Sequence, residues 1–167
     1  MQDGRGTRRL VLMGVSGSGK SLIGAALAAR LGLGFLDGDD LHPAGNVAKM
    51  AAGQPLDDAD RAPWLDAVGR TLRAPGTLVA CSALKRAYRA RIAAGAGAAV
   101  TFIHLDGSRA LLAARLAARQ GHFMPPALLD SQLATLEPLA PDEPGFAVSI
   151  EAVPDDIVAA ICARLEA

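Results

Sequence analysis

Arg8-Arg9-Leu10-Val11-Leu12-Met13-Gly14-Val15-Ser16-Gly17-Ser18-Gly19-Lys20-Ser21 is the stretch whose reading decides the fold. Its apolar half, Leu10 to Met13, is the kind of short run that forms a buried strand, and it breaks at a glycine. The pattern Gly-x-x-x-x-Gly-Lys-Ser follows, and then an alanine-rich apolar segment that reads as helix. Strand, glycine-rich loop and helix in that order are the context a Walker A phosphate loop requires; a chance Lys-Ser in a glycine-rich turn would lack those flanks. Glycines 14, 17 and 19 let the backbone curl so that successive N–H groups point inward at phosphate oxygens. The helix beginning near Lys20 adds the positive end of its dipole. In that geometry the backbone of Gly14, Val15, Ser16, Gly17, Ser18 and Gly19 cradles phosphates and Lys20 reaches the β- and γ-phosphates. The Ser21 hydroxyl ligates magnesium. The loop therefore implies a nucleoside triphosphate as ligand.

Outward from the loop, strands and helices alternate to the end of the chain. Ile23, Leu27 and Leu31 recur at a spacing of four in a helix over 20–31, with Gly32 as its C-cap. A second strand at Phe35-Leu36 ends in Asp37-Gly38-Asp39-Asp40. Helices are expected over His42–Ala52, with Gly53 as its stop, and from a cap at Asp58 or Asp60 to about Arg73. A third strand covers Thr77–Cys81 and a helix Leu84–Ala94, with Gly95–Gly97 as a loop. A fourth strand spans Val100–Leu105 and a helix Ser108–Arg119. A glycine- and proline-punctuated segment and a further helix over Ala127–Leu136 complete a small lid, about residues 119–136. The fifth strand is Phe146–Ile150 and the last helix Asp155–Leu165. This alternation predicts one α/β domain over 1–167, a three-layer fold with a five-stranded parallel sheet covered by helices on both faces. Ligands of such sheets bind beyond the carboxyl ends of the strands, so the phosphate loop, the Asp37–Asp39 pair and the Ser82 region should converge there.

Composition narrows the function classes. Seventeen Lys and Arg balance 17 Asp and Glu, so no charge excess points to nucleic acid or to an anionic membrane surface. No apolar run approaches the length of a membrane span, and the polar, glycine-rich first nine residues lack the apolar centre of a signal peptide. Cys81 and Cys162 are far apart in apolar surroundings and read as buried thiols, which suits a reducing cytoplasm.

Five constellations carry candidate chemistry. Asp37 and Asp39 end a strand, where both can face the phosphate loop. The third strand ends in Cys81-Ser82 without an aspartate, so Asp37 is the candidate carboxylate on the magnesium side. Asp39 is placed to accept the proton of an attacking hydroxyl. His42, Asn46 and Lys49 are spaced to share one helix face, which fits either a polyhydroxylated anion or an ordinary wet surface. Arg61 is a candidate carboxylate clamp, with a solvated arginine as the alternative, and Trp64 reads as core. Lys85 follows the third strand closely, whereas Arg86 and Arg89 are as well explained as surface cations. Arg115, Arg119 and His122 sit at the entry to the lid, where cations can cover the phosphates and exclude water. His104 lies inside a strand and reads as structural.

Taken together these segments resemble the gluconokinases, small phosphate-loop sugar-acid kinases related to shikimate kinase and the nucleoside monophosphate kinases. The resemblance rests on Gly14 to Ser21 and on Leu36-Asp37-Gly38-Asp39-Asp40-Leu41-His42-Pro43. It extends through Asn46, Lys49-Met50, Asp60-Arg61 and Pro63-Trp64-Leu65 to Cys81-Ser82-Ala83-Leu84-Lys85-Arg86, Gly121-His122-Phe123-Met124-Pro125 and Ser131-Gln132. It implies phosphorylation of D-gluconate at its terminal hydroxyl with ATP and Mg2+ as cofactors. By analogy with shikimate kinase, Asp39 is the implied substrate-orienting base and Asp37 a magnesium-side residue. Arg61 is then a carboxylate-binding residue. Arg115 and Arg119 are lid residues, one near adenine and one near the phosphates. Family members are commonly dimers, which implies a homodimer. Two rival readings remain at this level: a kinase of the same fold acting on another small acid or a nucleotide, and a nucleotide-sensing module without turnover.

Overall fold

The computed structural model describes residues 4–119 and 126–167. β1 (Arg9–Met13) lies at the centre of a five-stranded sheet. It pairs with β3 (Thr77–Ala80) on one side and β4 (Thr101–Asp106) on the other, with β2 (Gly34–Asp37) and β5 (Gly145–Ser149) at the edges. All four pairings are parallel, as the alternation of elements predicts. β1 reads as an unbroken apolar run because both of its faces are covered. Leu10 and Leu12 face one layer with Ile103 and Leu105, packed by Ile23 and Leu27 of α1 (Lys20–Leu31) and Ile157 and Ile161 of α7 (Pro154–Glu166). Val11 and Met13 face the other with Val79 and Phe102. There they meet Trp64, Leu65 and Val68 of α3 (Asp58–Thr71) and Ile92 of α4 (Arg86–Ala96). α2 (Ala44–Ala51) bridges β2 to α3; α5 (Arg109–Ala118) and α6 (Pro126–Thr135) follow β4. Among the described residues no helix is long and apolar enough to cross a membrane. Cys81 and Cys162 are buried, unpaired thiols, and burial pushes the Cys81 thiol up to about 12.

Three of the local boundaries that differ from the sequence-based expectation do so for a clear physical reason. The helix expected from His42 begins at Ala44, after a 3₁₀ turn over Gly38–Leu41. His42 precedes a proline, whose ring disfavours the helical region for its neighbour, and it is extended at φ −65°, ψ 135°. α3 is capped by Asp57 rather than by Asp58 or Asp60. Asp57 accepts from the Asp60 N–H, and the Asp60 side chain accepts from the Asp57 N–H, a reciprocal capping box. Gly95, expected in a loop, lies inside α4, and only Gly97 ends the helix, in the left-handed conformation.

Gly95 owes its place to a long-range contact. A Cβ on Gly69 of α3 would stand 2.9 Å from the Gly95 Cα, and a Cβ on Gly95 would stand 3.2 Å from the Gly69 Cα. The two helices therefore touch backbone to backbone. Gly69→Ala should force them apart at a cost of about 1–3 kcal/mol in urea unfolding. Gly95→Ala should cost less, and equal, negligible losses for both would show that the layer tolerates wider spacing.

Candidate active site

The phosphate loop forms the floor of the site. Gly14, Gly17 and Gly19 all take positive φ (152°, 86° and 90°), a path that L side chains rarely follow. A Cβ on Gly17 would also stand 2.9 Å from the Leu116 side chain of α5. A curled, glycine-rich path of this kind ahead of a helix N-terminus is the one from which a backbone nest for an anion is built. Lys20 Nζ donates to the Val15 carbonyl at 3.0 Å, folded across the loop. The buried Ser18 hydroxyl has no hydrogen-bond partner among the described residues. Gln132 of α6 grips Ser16 at two points: its Oε1 accepts from the Ser16 N–H (2.7 Å), and its Nε2 donates to Ser16 Oγ (3.1 Å). α6 is thereby docked on the phosphate loop itself.

The acidic turn after β2 faces this floor. Ser21 Oγ donates to Asp37 Oδ2 at 2.7 Å, so the two residues expected on the metal side are adjacent. Asp37 Oδ1 accepts from the Asp39 N–H at 3.0 Å and holds the turn. Lys20 and Asp39 act on each other. Burial lowers the Lys20 ammonium pKa, and the first charge opposing that is Asp39. Burial, followed by the Asp37 charge, raises the Asp39 carboxyl above the ordinary aspartate range, while Lys20 and His42 oppose the rise. A carboxylate of raised basicity beside a partly buried cation is suited to hold a hydroxyl proton.

Beyond Asp39 lies a set of cations and their partners. Lys49 Nζ donates to both carboxylate oxygens of Asp60 at 2.9 Å, which ties α2 to the first turn of α3. Arg61 Nη1 donates to the Tyr88 hydroxyl (3.2 Å), and that hydroxyl donates to Asp58 Oδ1 (2.5 Å). Lys85 Nζ lies 3.4 Å from the same Asp58 oxygen. Arg61 and Lys85 both stand over the Tyr88 ring, at 5.5 and 5.4 Å from its centre. His42 stacks on Trp64, centroids 4.2 Å apart and planes 15° apart, and Trp64 Nε1 donates to the Gly38 carbonyl at 2.7 Å. Trp64 is core, as its apolar surroundings suggest, and it is also the strut beneath the acidic turn.

On the lid side, Arg115 Nη2 donates to the Ile150 carbonyl at 2.6 Å, between the fourth and fifth strands' outlets. Arg119 caps α5, and its charge acts on Lys20. His122 lies outside the described residues. Tyr88, Asp58 and Gln132 were not among the candidate site residues of the sequence-based reading; their place at the site is marked by contacts with partners distant in the chain.

Arg89 is not a surface cation. Its side chain is 1 % exposed and forks onto Glu143 through Nε (2.7 Å) and Nη2 (3.0 Å). Nη1 donates to the carbonyls of Ala83 and Leu84. Ala83 has φ +45°, a strained value for a residue with a Cβ, and the Gly14 N–H donates to the Ser82 carbonyl beside it. Arg89 thus braces the turn after β3 that abuts the phosphate loop.

Comparison with known proteins agrees with this arrangement. A family model described as an AAA domain matches residues 10–139. The gluconokinase of Gluconobacter oxydans (strain 621H) is 48 % identical over 99 % of this chain and 96 % of its own length. The crystal structure of a gluconokinase from Sinorhizobium meliloti 1021 superimposes with a TM-score of 0.88 at 45 % identity, covering 96 % of this chain and 94 % of that one. Shikimate kinase from Aquifex aeolicus, at 16 % identity and a TM-score of 0.63 over 95 % of this chain and 96 % of that one, shares the fold.

The Arg89–Glu143 fork gives the site a pH signature. Arg89 holds the Glu143 carboxyl below the ordinary glutamate range. A depressed folded-state pKa contributes stability above the unfolded value and loses it as pH falls towards the folded one. The stability gap between wild type and Glu143→Gln should therefore be widest near neutrality and shrink on acidification in urea unfolding. Arg89→Ala should cost about 3–5 kcal/mol at neutral pH, because it strands a buried carboxylate. A gap that stays constant with pH would mean that the pair adds nothing through its charge.

Proposed function

The chain belongs to the gluconokinase family, and on that footing we propose how its residues divide the work of phosphorylating D-gluconate with ATP to give 6-phospho-D-gluconate and ADP. It is a phosphotransferase with an alcohol group as acceptor, and its phosphate loop is that of an ATP-using kinase. The observation that carries the assignment of roles is the run of hydrogen bonds from Ser21 Oγ to Asp37 Oδ2 and from the Asp39 N–H to Asp37 Oδ1, which sets the acidic turn against the end of the phosphate loop.

In this reading the backbone of residues 14–19 cradles the ATP phosphates. Lys20 leaves the Val15 carbonyl to lie along the β- and γ-phosphates. The 6-hydroxyl of gluconate sits against Asp39, whose carboxylate takes the proton as the hydroxyl oxygen bonds to the γ-phosphorus and the bond to ADP breaks. Ser21 and Asp37 offer a hydroxyl and a carboxylate oxygen side by side, hard donors that fit Mg2+. When bound, Mg2+ would neutralise phosphate charge there. Arg119 adds charge on the phosphate side and Arg115 borders the adenine side. Arg61, Lys85, Lys49 and His42, with His122 from the lid, form the acceptor side, with the gluconate carboxylate displacing Asp58 from the Arg61–Tyr88–Lys85 cluster. The resemblance also supports a cytoplasmic homodimer; a mass in solution of one chain would refute the dimer.

A coupled assay of ADP release against sugar acids, shikimate and nucleoside monophosphates tests the acceptor. Release with gluconate is expected; release with another acceptor alone, or none despite ATP binding, would overturn the reading. Lys20→Ala should abolish turnover. Asp39→Asn should lower kcat by about 10²–10⁴ while ATP binding stays near wild type; full activity would remove Asp39 from the base role. Arg61→Ala should raise KM for gluconate about tenfold or more with little change for ATP. Equal effects on both would assign Arg61 to the phosphates.

A further inference from the structure

We propose that Asn46 locks the imidazole of His42 in its neutral Nε2–H tautomer and so makes His42 a one-way hydrogen-bond donor to an oxygen of the sugar-acid acceptor. The proposal rests on the reading of His42 as an acceptor-side residue and adds the atom, its proton and the residue that sets them.

The Asn46 amide has only one possible orientation. Asn46 is 5 % exposed, and its terminal amide lies 2.8 Å from the backbone carbonyl of Asp60. A backbone carbonyl only accepts, so the amide atom facing it is the nitrogen. The same nitrogen lies 3.2 Å from His42 Nδ1. An amide nitrogen has two N–H groups and no lone pair to offer, so it donates to both neighbours. Nδ1 is therefore the bare, accepting nitrogen of the ring, and the proton of neutral His42 sits on Nε2.

The surroundings hold that state. An imidazolium would turn an Nδ1–H towards an amide N–H, donor against donor. Flipping the ring would leave the buried Asn46 donor facing a carbon, with the loss of a buried hydrogen bond. The stack on Trp64 fixes the ring plane, and the Trp64 bond to the Gly38 carbonyl ties that plane to the turn carrying Asp39. Burial and the Arg61 charge disfavour a charged ring, while Asp39 works the other way. Among the described residues the only hydrogen-bond partner of the His42 ring is Asn46. The Nε2–H is thus left to a ligand, next to the proposed base.

A fixed donor matters for a substrate made of hydroxyls, since each hydroxyl can donate or accept. A donor that cannot reverse its role selects an oxygen lone pair at one place, and an acceptor lacking an oxygen there leaves the N–H unmatched. Asn46 is in this account a positioning residue, and His42 makes the contact.

The chain has three histidines, which makes side-chain ¹H–¹⁵N correlation spectra tractable, with His42 identified from a His42 variant. The free wild-type protein should show His42 as the neutral Nε2–H form at neutral pH; an Nδ1–H form or an imidazolium would overturn the proposal. Steady-state kinetics supply a second test. His42→Gln sets an amide nitrogen near the Nε2 position and should keep KM for gluconate within about threefold. His42→Asn sets one near Nδ1 and should raise that KM about tenfold with KM for ATP unchanged, the size of a lost charge-free hydrogen bond in a closed site. Equal loss in both variants would overturn the donor role. Asn46→Asp should draw a proton to Nδ1 in the spectra and raise KM for gluconate; an unchanged tautomer with unchanged KM would remove Asn46 from its role. The spectra need no turnover, so absent gluconate phosphorylation would refute the preceding function while leaving the tautomer to stand or fall by itself.

Discussion

A cation held where burial works against its charge is the constraint on which this site depends. Lys20 lies against the phosphate loop, and Asp39 does most to keep it an ammonium. The two come from different strand ends: Lys20 follows β1, Asp39 follows β2, and β3 runs between those strands in the sheet. Only a parallel sheet, in which every strand delivers its chain to the same edge, brings such residues together across an intervening strand. Burial and the Asp37 charge raise the basicity of Asp39 while Lys20 draws it back down, so burial opposes the charge on both groups and each partly restores the other's.

Keeping that arrangement requires rigid backing, and the backing is polar and buried. Arg89 reaches from α4 to a turn that hugs the phosphate loop, and Glu143 satisfies the rest of its guanidinium. Trp64 does the same for the acidic turn with one indole N–H and one ring face. Gln132 closes the set by tying α6 to Ser16. Arg89 and Trp64 are buried with every side-chain nitrogen partnered, which is the condition under which a buried polar group fixes geometry instead of costing stability. The side proposed for the acceptor is built differently. Arg61, Lys85 and Tyr88 gather around the exposed carboxylate of Asp58, a contact that an incoming carboxylate can replace.

Where the sequence-based reading and the structure part, the cause is distance along the chain. The late start of α2 after Pro43 and the Asp57–Asp60 capping box are local, three residues or fewer in extent, and follow from rules that a closer reading of those residues applies. Gly95 is different. It reads as a helix breaker until Gly69 is set against it, and nothing near residue 95 announces that contact. Arg89 has the same difficulty, because its partner Glu143 stands 54 residues away and an arginine on a helix has no local mark of burial.

Sequence alone determined the parts whose physics is short-ranged. The curl of residues 14–19 follows from glycines at set spacing, the cover on both faces of β1 from its unbroken apolar run, and the parallel sheet from regular alternation. The paired carboxylates of residues 37 and 39 are equally plain, because a two-residue spacing at a strand end constrains where they go. Tertiary structure decided everything that needed a second segment: which cations meet which carboxylates, why Trp64 stands beneath the acidic turn, and which atom of Asn46 faces the Asp60 carbonyl. Those outcomes depend on hydrogen bonds and contacts between residues brought together only when the two helical layers close on the sheet, and a linear pattern carries no record of such distances.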